Sequence, residues 1–271
     1  VVARCNGSEA FFRAEAGSAS TGSSRWIERR SLRRADHLVG ATRYVSERTA
    51  QILGTGPRPW TILPNVVRRQ VPGPFEARER RTVLFAGTLT EKKGVVELLR
   101  AWPAVVAGDP AATLELWGKD GSAPGGGGSM RAHLAALAVE LGVSDSVTFR
   151  GHAERAILLD RLRQVRVAVF PSHAEAFGIA AVEAVGLGCP TIYTKVPPGP
   201  ELLDDERHGL LVDPSSPDDI AGAVLRLLGD DELAATLARR GAAHVDARFT
   251  VEGTIDATVA FYREITGSTA R

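Results

Sequence analysis

Cysteine is nearly absent. Cys5 and Cys189 are the only two in 271 residues, and so few, so far apart, exclude a disulfide framework and a thiolate metal site. A reducing, cytoplasmic setting is expected. No run approaches the roughly 18 continuous apolar residues of a membrane helix, and the opening VVARCNGSEAFF has the wrong order of charge and apolarity for a secretory signal. The chain is expected to be soluble, or peripheral at the inner face of a membrane at most. No helix-turn-helix, zinc-finger or aromatic RNA-binding signature is present, so nucleic acid is not an expected partner. A dinucleotide fingerprint is missing too: in GSAPGGGGS (121–129), Met130 stands where the last glycine would be needed. That stretch reads as a flexible loop.

What is present suffices for real cores, since 44% of the chain is hydrophobic. Residues 1–81 carry 15 Lys/Arg against 7 Asp/Glu, while the chain as a whole is at +1, so a basic front is balanced by an acidic remainder. From Thr82 onward short β-branched runs alternate with helical patterns, which is how a parallel sheet covered by helices reads. Strands are predicted at 82–87, 112–118, 146–149, 167–171, 190–193 and 209–212. Helices fall between them, the best marked at 217–228, where Ser216 and Asp219 form a capping pair and Pro217 takes the first helical position. Two more, at 232–245 and 251–266, close the chain. Ahead lies a strand at 1–5, a Gly/Ser loop at 17–24, an Arg-rich helix at 25–35, the strand HLVG, another helix and WTILPN. This front reads as two β/α units, and VRRQVPGPFEARERR reads as the linker after it.

The informative stretch is VFPSHAEAFGIAAVEAVGLGCPTIY, from Val169 to Tyr193. It reads strand, loop, helix, strand. Glu175 falls in the loop, and Glu183 about five residues inside a helix beginning near Phe177 or Gly178. Their separation is too great for an acid/base pair but suits a grip on two ends of a polyol. Gly178 permits close backbone approach, and the free N–H groups of Phe177, Gly178 and Ile179 would point at an anion. Flanked by Ala180, Ala181, Val182 and Val185, the Glu183 carboxylate is dehydrated and needs a partner, for which ligand hydroxyls are the expectation. His173 within H-A-E is not followed by the cysteines of a zinc deaminase, and no metal site is expected.

Pro171, Ser172, Glu175, Phe177, Gly178, Glu183, Ala184, Gly188 and Pro190 match a P-S-x-x-E-x-F-G…E-A…G-x-P pattern. The chain here resembles the GT-B glycosyltransferases, specifically retaining family four. Further likeness follows in ADHLVGATRYVSE, ILPNVV, FAGTLTEKKG, LELWG, VTFRG and PELLDDERHGLLVDP, so it covers nearly the whole sequence. The resemblance implies an α/β fold of GT-B type: a Rossmann-like C-terminal domain with a parallel sheet, plus an incomplete N-terminal Rossmann-like domain. The expected division is 1–76 for the acceptor-side part and linker, 77–250 for the donor-binding domain, and 251–271 for a last helix packing back on the front. It also implies that Glu183 binds ribose hydroxyls, that Glu175 contacts the donor sugar, and that the backbone of Phe177 to Ile179 meets sugar and phosphate. Gly87 and Lys93 belong to the loop that cradles the diphosphate, and Arg150 with Gly151 to a loop near the base.

Two positions depart from the family. Thr88 stands where an arginine is usual, and Asn6 where a histidine is. A threonine hydroxyl offers a neutral hydrogen bond of about 1 kcal/mol, against about 1.5 to 3 for a charged donor. Asn6 can bond a hydroxyl but cannot shuttle a proton near neutral pH. The expected activity is transfer of a hexose from a nucleotide diphosphate sugar to a sugar or lipid-linked hydroxyl acceptor, with retention and no cofactor. The alternatives are a non-catalytic nucleotide-sugar-binding module, which Thr88 and Asn6 favour, and an NAD(P) oxidoreductase, which lacks its fingerprint. The short front leads to a further expectation, that the chain is a fragment able to hold donor but poor at transfer. The basic helix at 25–34 is the candidate contact for acceptor or anionic membrane, with Arg25, Arg29 and Arg33 on one face and Trp26, Ile27 and Leu32 packing elsewhere.

Overall fold

The computed structural model describes residues 1–15, 17–18 and 21–267. In chain order the elements are β1 (Val2–Cys5), α1 (Glu9–Glu15), α2 (Gly22–Arg34), β2 (His37–Gly40), α3 (Arg43–Leu53), β3 (Trp60–Ile62), β4 (Glu79–Ala86), α4 (Val95–Gly108), β5 (Thr113–Trp117), α5 (Met130–Glu140), β6 (Val147–Gly151), α6 (Arg155–Gln164), β7 (Val165–Phe170), α7 (Ile179–Gly186), β8 (Thr191–Thr194), α8 (Gly199–Leu202), β9 (Leu210–Val212), α9 (Pro217–Gly229), α10 (Asp231–Phe249) and α11 (Val251–Thr266). They form two compact units. The first holds Val1–Arg69, Ala174–Phe177 and the residues from Asp246 on; the second holds Gln70–His173 and Gly178–Val245.

In the first unit, β1, β2 and β3 make a parallel sheet in that order. Leu38 of β2 packs with Ala10, Leu32, Ala35 and Leu53, and Val39 packs with Leu63 and with Phe261 of α11. Two features here differ from the sequence reading. Glu9 opens a helix, α1, whose first turn is capped by Ser8 accepting from Phe11 N–H at 3.0 Å; a seven-residue helix carries too little periodicity to show in sequence. And α2 starts inside the stretch read as a Gly/Ser loop, because Thr21 accepts from the Ser24 N–H and caps it there.

The second unit is a six-stranded parallel sheet in the order β6-β5-β4-β7-β8-β9, the doubly wound 3-2-1-4-5-6 arrangement. All six strands predicted from sequence are present. Helices α4, α5 and α9 cover one face, burying Trp102, Leu98, Leu134, Val224 and Leu227 against Val83, Leu114 and Val167. Every residue of β7 is buried, as expected of a central parallel strand. In α9, Ser216 accepts from Asp219 N–H as predicted, but the Asp219 carboxylate reaches the Asp213 N–H instead of closing a reciprocal box.

One ion-pair network joins β4, β5, β6 and α6. Glu115, in the middle of β5 and only 4% exposed, accepts from Arg161 Nε (2.9 Å), Arg150 Nη2 (2.7 Å) and Trp117 Nε1 (2.9 Å). Arg161 also holds Glu79 through Nη2 at 2.7 Å. The bond from Arg161 keeps Glu79 below the usual carboxylate range. For Glu115, burial pushes upward, but the bonds from Arg161, Trp117 and Arg150 outweigh it and its pKa is also lowered. A carboxyl whose pKa falls on folding stabilises the fold above its unfolded value and loses that contribution as pH drops through the folded one. Thermal stability is therefore expected to decline as pH falls below about 4.5, and Glu115→Gln should flatten that decline in melts followed from pH 7 to pH 3. Parallel curves for the two proteins would remove the network from the explanation.

Candidate donor site

In a doubly wound sheet the ligand crevice lies beyond the carboxyl ends of the strands where the order reverses. Here that point is between β4 and β7. The loops leaving those two strands are the ones that the motifs single out. After β4 the chain runs Gly87, Thr88 and on to Lys93 and Gly94; after β7 it runs Pro171 to Gly178.

Backbone hydrogen bonds join these loops to each other and tie the ends of β4, β5 and β6. Gly87 N–H donates to Trp117 O at 2.9 Å, Gly118 N–H to Gly151 O at 2.8 Å, and His173 N–H to Lys92 O at 2.9 Å. Gly94 is left-handed (φ 68°) and caps α4; a Cβ there would lie 1.8 Å from the Pro171 carbonyl oxygen. Only glycine allows the two loops to approach so closely. Lys93, half-buried, precedes this turn.

Gly178 is left-handed as well (φ 73°) and opens α7, where a Cβ would meet the Tyr193 hydroxyl at 2.1 Å. Glu183 is the fifth residue of α7, as expected, and is 7% exposed. Its partner in the structure is a side chain that the motif reading did not include. Arg155, the first residue of α6, donates from Nε (3.0 Å) and Nη2 to Glu183 Oε1. A sequence signal for it existed: a cation at a helix N-terminus opposes the helix dipole unless an anion is at hand.

A cleft of about 390 Å³ opens at this end of the sheet, lined among others by Gly87, Thr88, Trp117, Lys119, His152 and Arg155. The structure thus brings Gly87 and Thr88 together with Arg155, and through Arg155 with Glu183. Arg150 is placed otherwise, its guanidinium engaged by Glu115.

Asn6, Glu175 and Phe177 belong to the first unit. Asn6 is exposed just beyond β1 and accepts from Arg4 Nε at 3.3 Å; Arg4 also bonds the carbonyls of Leu63 and Pro64. The loop Ala174–Phe177 is fixed by Thr42, whose hydroxyl donates to Ala176 O at 3.3 Å, and by Phe177 packed edge-on against Phe249. Gly7 (φ 105°) lies close to Ala176, so the turn carrying Asn6 adjoins the loop carrying Glu175. Ile179 is exposed at the start of α7.

The family model described as glycosyl transferases group 1 matches residues 68–244. The chain belongs to that family. Among its relatives is a D-inositol 3-phosphate glycosyltransferase of Geodermatophilus obscurus, 32% identical over 246 residues, which are 87% of this chain and 54% of that protein. This group 1 chain spans about half the length of the curated relatives it matches. Solved structures share its fold: sucrose-phosphate synthase from Thermosynechococcus elongatus (TM-score 0.78, 22% identity, covering 99% of this chain and 68% of that one) and Anabaena HepE, solved with UDP and glucose (0.77, 19%, 97% and 71%). The fold is of the GT-B type.

Proposed function

We propose that this group 1 chain binds a nucleotide diphosphate sugar at the β4–β7 switch point and acts in hexose transfer, with retention, to a sugar or lipid-linked hydroxyl in glycan or glycolipid synthesis. The observation that carries the reading is the meeting of the Gly87–Gly94 loop with the Pro171–His173 loop beside the cleft, in a chain of this family. The roles are those that the resemblance to the family implies. Lys93 and the backbone N–H groups of Gly178 and Ile179 face the diphosphate in place of a metal. Glu183 takes the ribose hydroxyls and Glu175 those of the donor sugar. The backbone of Phe177 adjoins the sugar, Thr88 gives the phosphates one neutral hydrogen bond, and Asn6 can bond the acceptor or donor hydroxyl.

Calorimetry with UDP-, GDP- and ADP-sugars, with and without EDTA, tests this. One of them is expected to bind equally in both buffers. Glu183→Gln should weaken both that donor and its free nucleotide diphosphate by about 1.5 to 3 kcal/mol, while Glu175→Gln weakens mainly the donor. Binding that disappears in EDTA and returns with magnesium would overturn the metal-free site, and equal losses for both ligands in both variants would overturn the roles. Donor binding without turnover would favour the binding-module alternative.

A peripheral contact with anionic membrane is part of the proposal. On α2, Trp26, Arg29, Arg30, Arg33 and Arg34 line one shallow basin, the spacing of a single helix face. This corrects the sequence expectation: Trp26 and Ile27 are 60% and 57% exposed instead of packed, Leu32 alone is buried, and Arg25 turns to the Ile52 carbonyl. The acid on α2, Glu28, is occupied with the N–H groups of Glu9 and Ala10. An arginine face with an exposed tryptophan suits an anionic lipid surface. No helix among the described residues is long and apolar enough to cross a membrane. Sedimentation with phosphatidylglycerol vesicles is expected at low salt and should be lost at high salt, with Trp26→Ala weakening it. Failure to sediment at any salt would leave α2 as a solvated face.

A further inference from the structure

The proposed donor site has a charge problem. Two phosphates must be held near the buried carboxylate of Glu183, and Thr88 brings no charge to them. Two cations line the cleft beside Gly87 and Thr88: Lys119 and Arg155. They differ in how they are held. Arg155 is fixed by two bonds to Glu183 Oε1, whereas no side-chain partner among the described residues aims Lys119.

Arginine carries five N–H donors in a rigid fork. Nε and one Nη2 hydrogen are used on Glu183, which leaves three, on a side chain that is half exposed and belongs to the cleft wall. Arg155 is also the first residue of α6, where its charge opposes the helix dipole. A single carboxylate offsets that; a second anion would add to the offset.

We propose that Arg155 is a positioning and donor-binding residue with two tasks. One edge of its guanidinium orients Glu183, and the remaining donors supply the phosphate counter-charge that Thr88 does not. The inference rests on the nucleotide-sugar reading of the cleft, and it locates the missing cation on α6, outside the loop after β4.

The test compares wild type, Arg155→Gln and Arg155→Lys by calorimetry. The ligands are the tightest binder among UDP, GDP and ADP, and its nucleoside, each at low and high salt. Arg155→Gln can still hydrogen-bond Glu183, so the nucleoside should bind almost as before. The diphosphate should bind about tenfold to a hundredfold more weakly, with a shallower salt dependence. Arg155→Lys should recover part of the loss, and melting curves of all three proteins confirm that each is folded. Equal weakening of nucleoside and diphosphate, or an undiminished diphosphate, would overturn the phosphate role. Failure of wild type to bind any of the three diphosphates would overturn the donor-site reading itself, and this inference with it.

Discussion

Replacing Gly94 by alanine is expected to destabilise the second unit by about 3 kcal/mol or more and to abolish nucleotide binding. Two costs combine. The residue is left-handed (φ 68°), which charges a side chain about 1 to 2 kcal/mol. Its Cβ would also sit 1.8 Å from the Pro171 carbonyl oxygen, and that neighbour is backbone, unable to rotate away. Relief requires the loop after β4 to part from the loop after β7, which also breaks the bond from His173 N–H to Lys92 O. Gly87, in the same loop, is the control. Its backbone is not left-handed, and a Cβ there would meet only the Phe85 ring at 3.4 Å, so Gly87→Ala should cost under about 1 kcal/mol. Urea unfolding of both variants, with calorimetry using UDP, GDP and ADP, checks the pair. Equal costs at the two positions, or full nucleotide affinity in Gly94→Ala, would show that the close approach does not support the site.

The β-strands of the second unit were legible because a parallel sheet buried on both faces writes itself as β-branched runs between turns. Helix α9 was legible because caps are local. What escaped were features whose cause lies far away in sequence. Strand β7 begins at Val165, before the predicted edge, because Arg166 is buried: it donates to Leu227 O at 2.9 Å and to Asp231, and its guanidinium lies over the Phe75 ring at 4.7 Å. An arginine reads as a strand boundary until its distant partners are known. Trp26 and Ile27 read as packing residues for the opposite reason, since apolar character alone does not say whether anything covers it.

The same limit applies at the site. Gly87, Lys93, Gly178 and Glu183 were marked by a motif whose spacing is local, and the structure puts them on the two loops and the helix that the motif implies. The need of Glu183 for a partner could be argued from its apolar neighbours. That the partner is Arg155, 28 positions earlier, could not, because the contact depends on how α6 and α7 pack. Arg150 shows the converse. Its place after VTF singles it out, and its guanidinium is held by Glu115 of β5.

Arg78 should be the costliest side chain to truncate in the second unit, with Arg78→Ala losing about 3 to 5 kcal/mol. It precedes β4, is 3% exposed, and donates from Nη1 to Leu162 O (2.7 Å) and Val165 O (2.9 Å) and from Nη2 to Leu187 O (3.0 Å). Leu162 lies in the last turn of α6, and Leu187 caps α7. One cation thus satisfies carbonyls at the C-terminal ends of the two helices that carry Arg155 and Glu183, where the dipole favours positive charge. Burial pushes the guanidinium pKa down, so part of the gain is offset by the cost of keeping this charge from water. Truncation removes that cost but leaves three carbonyls in a space that alanine cannot fill. Arg78→Met separates the two effects, since it restores apolar volume without restoring a donor. If unpaired carbonyls dominate, methionine should recover under half of the loss; if the void dominates, it should recover most of it. For a domain of this size the alanine variant should melt about 10 °C lower, measured by calorimetric scanning. A fall of under about 2 °C would mean that the helix ends find other partners, and that Arg78 does not hold α6 and α7 in place.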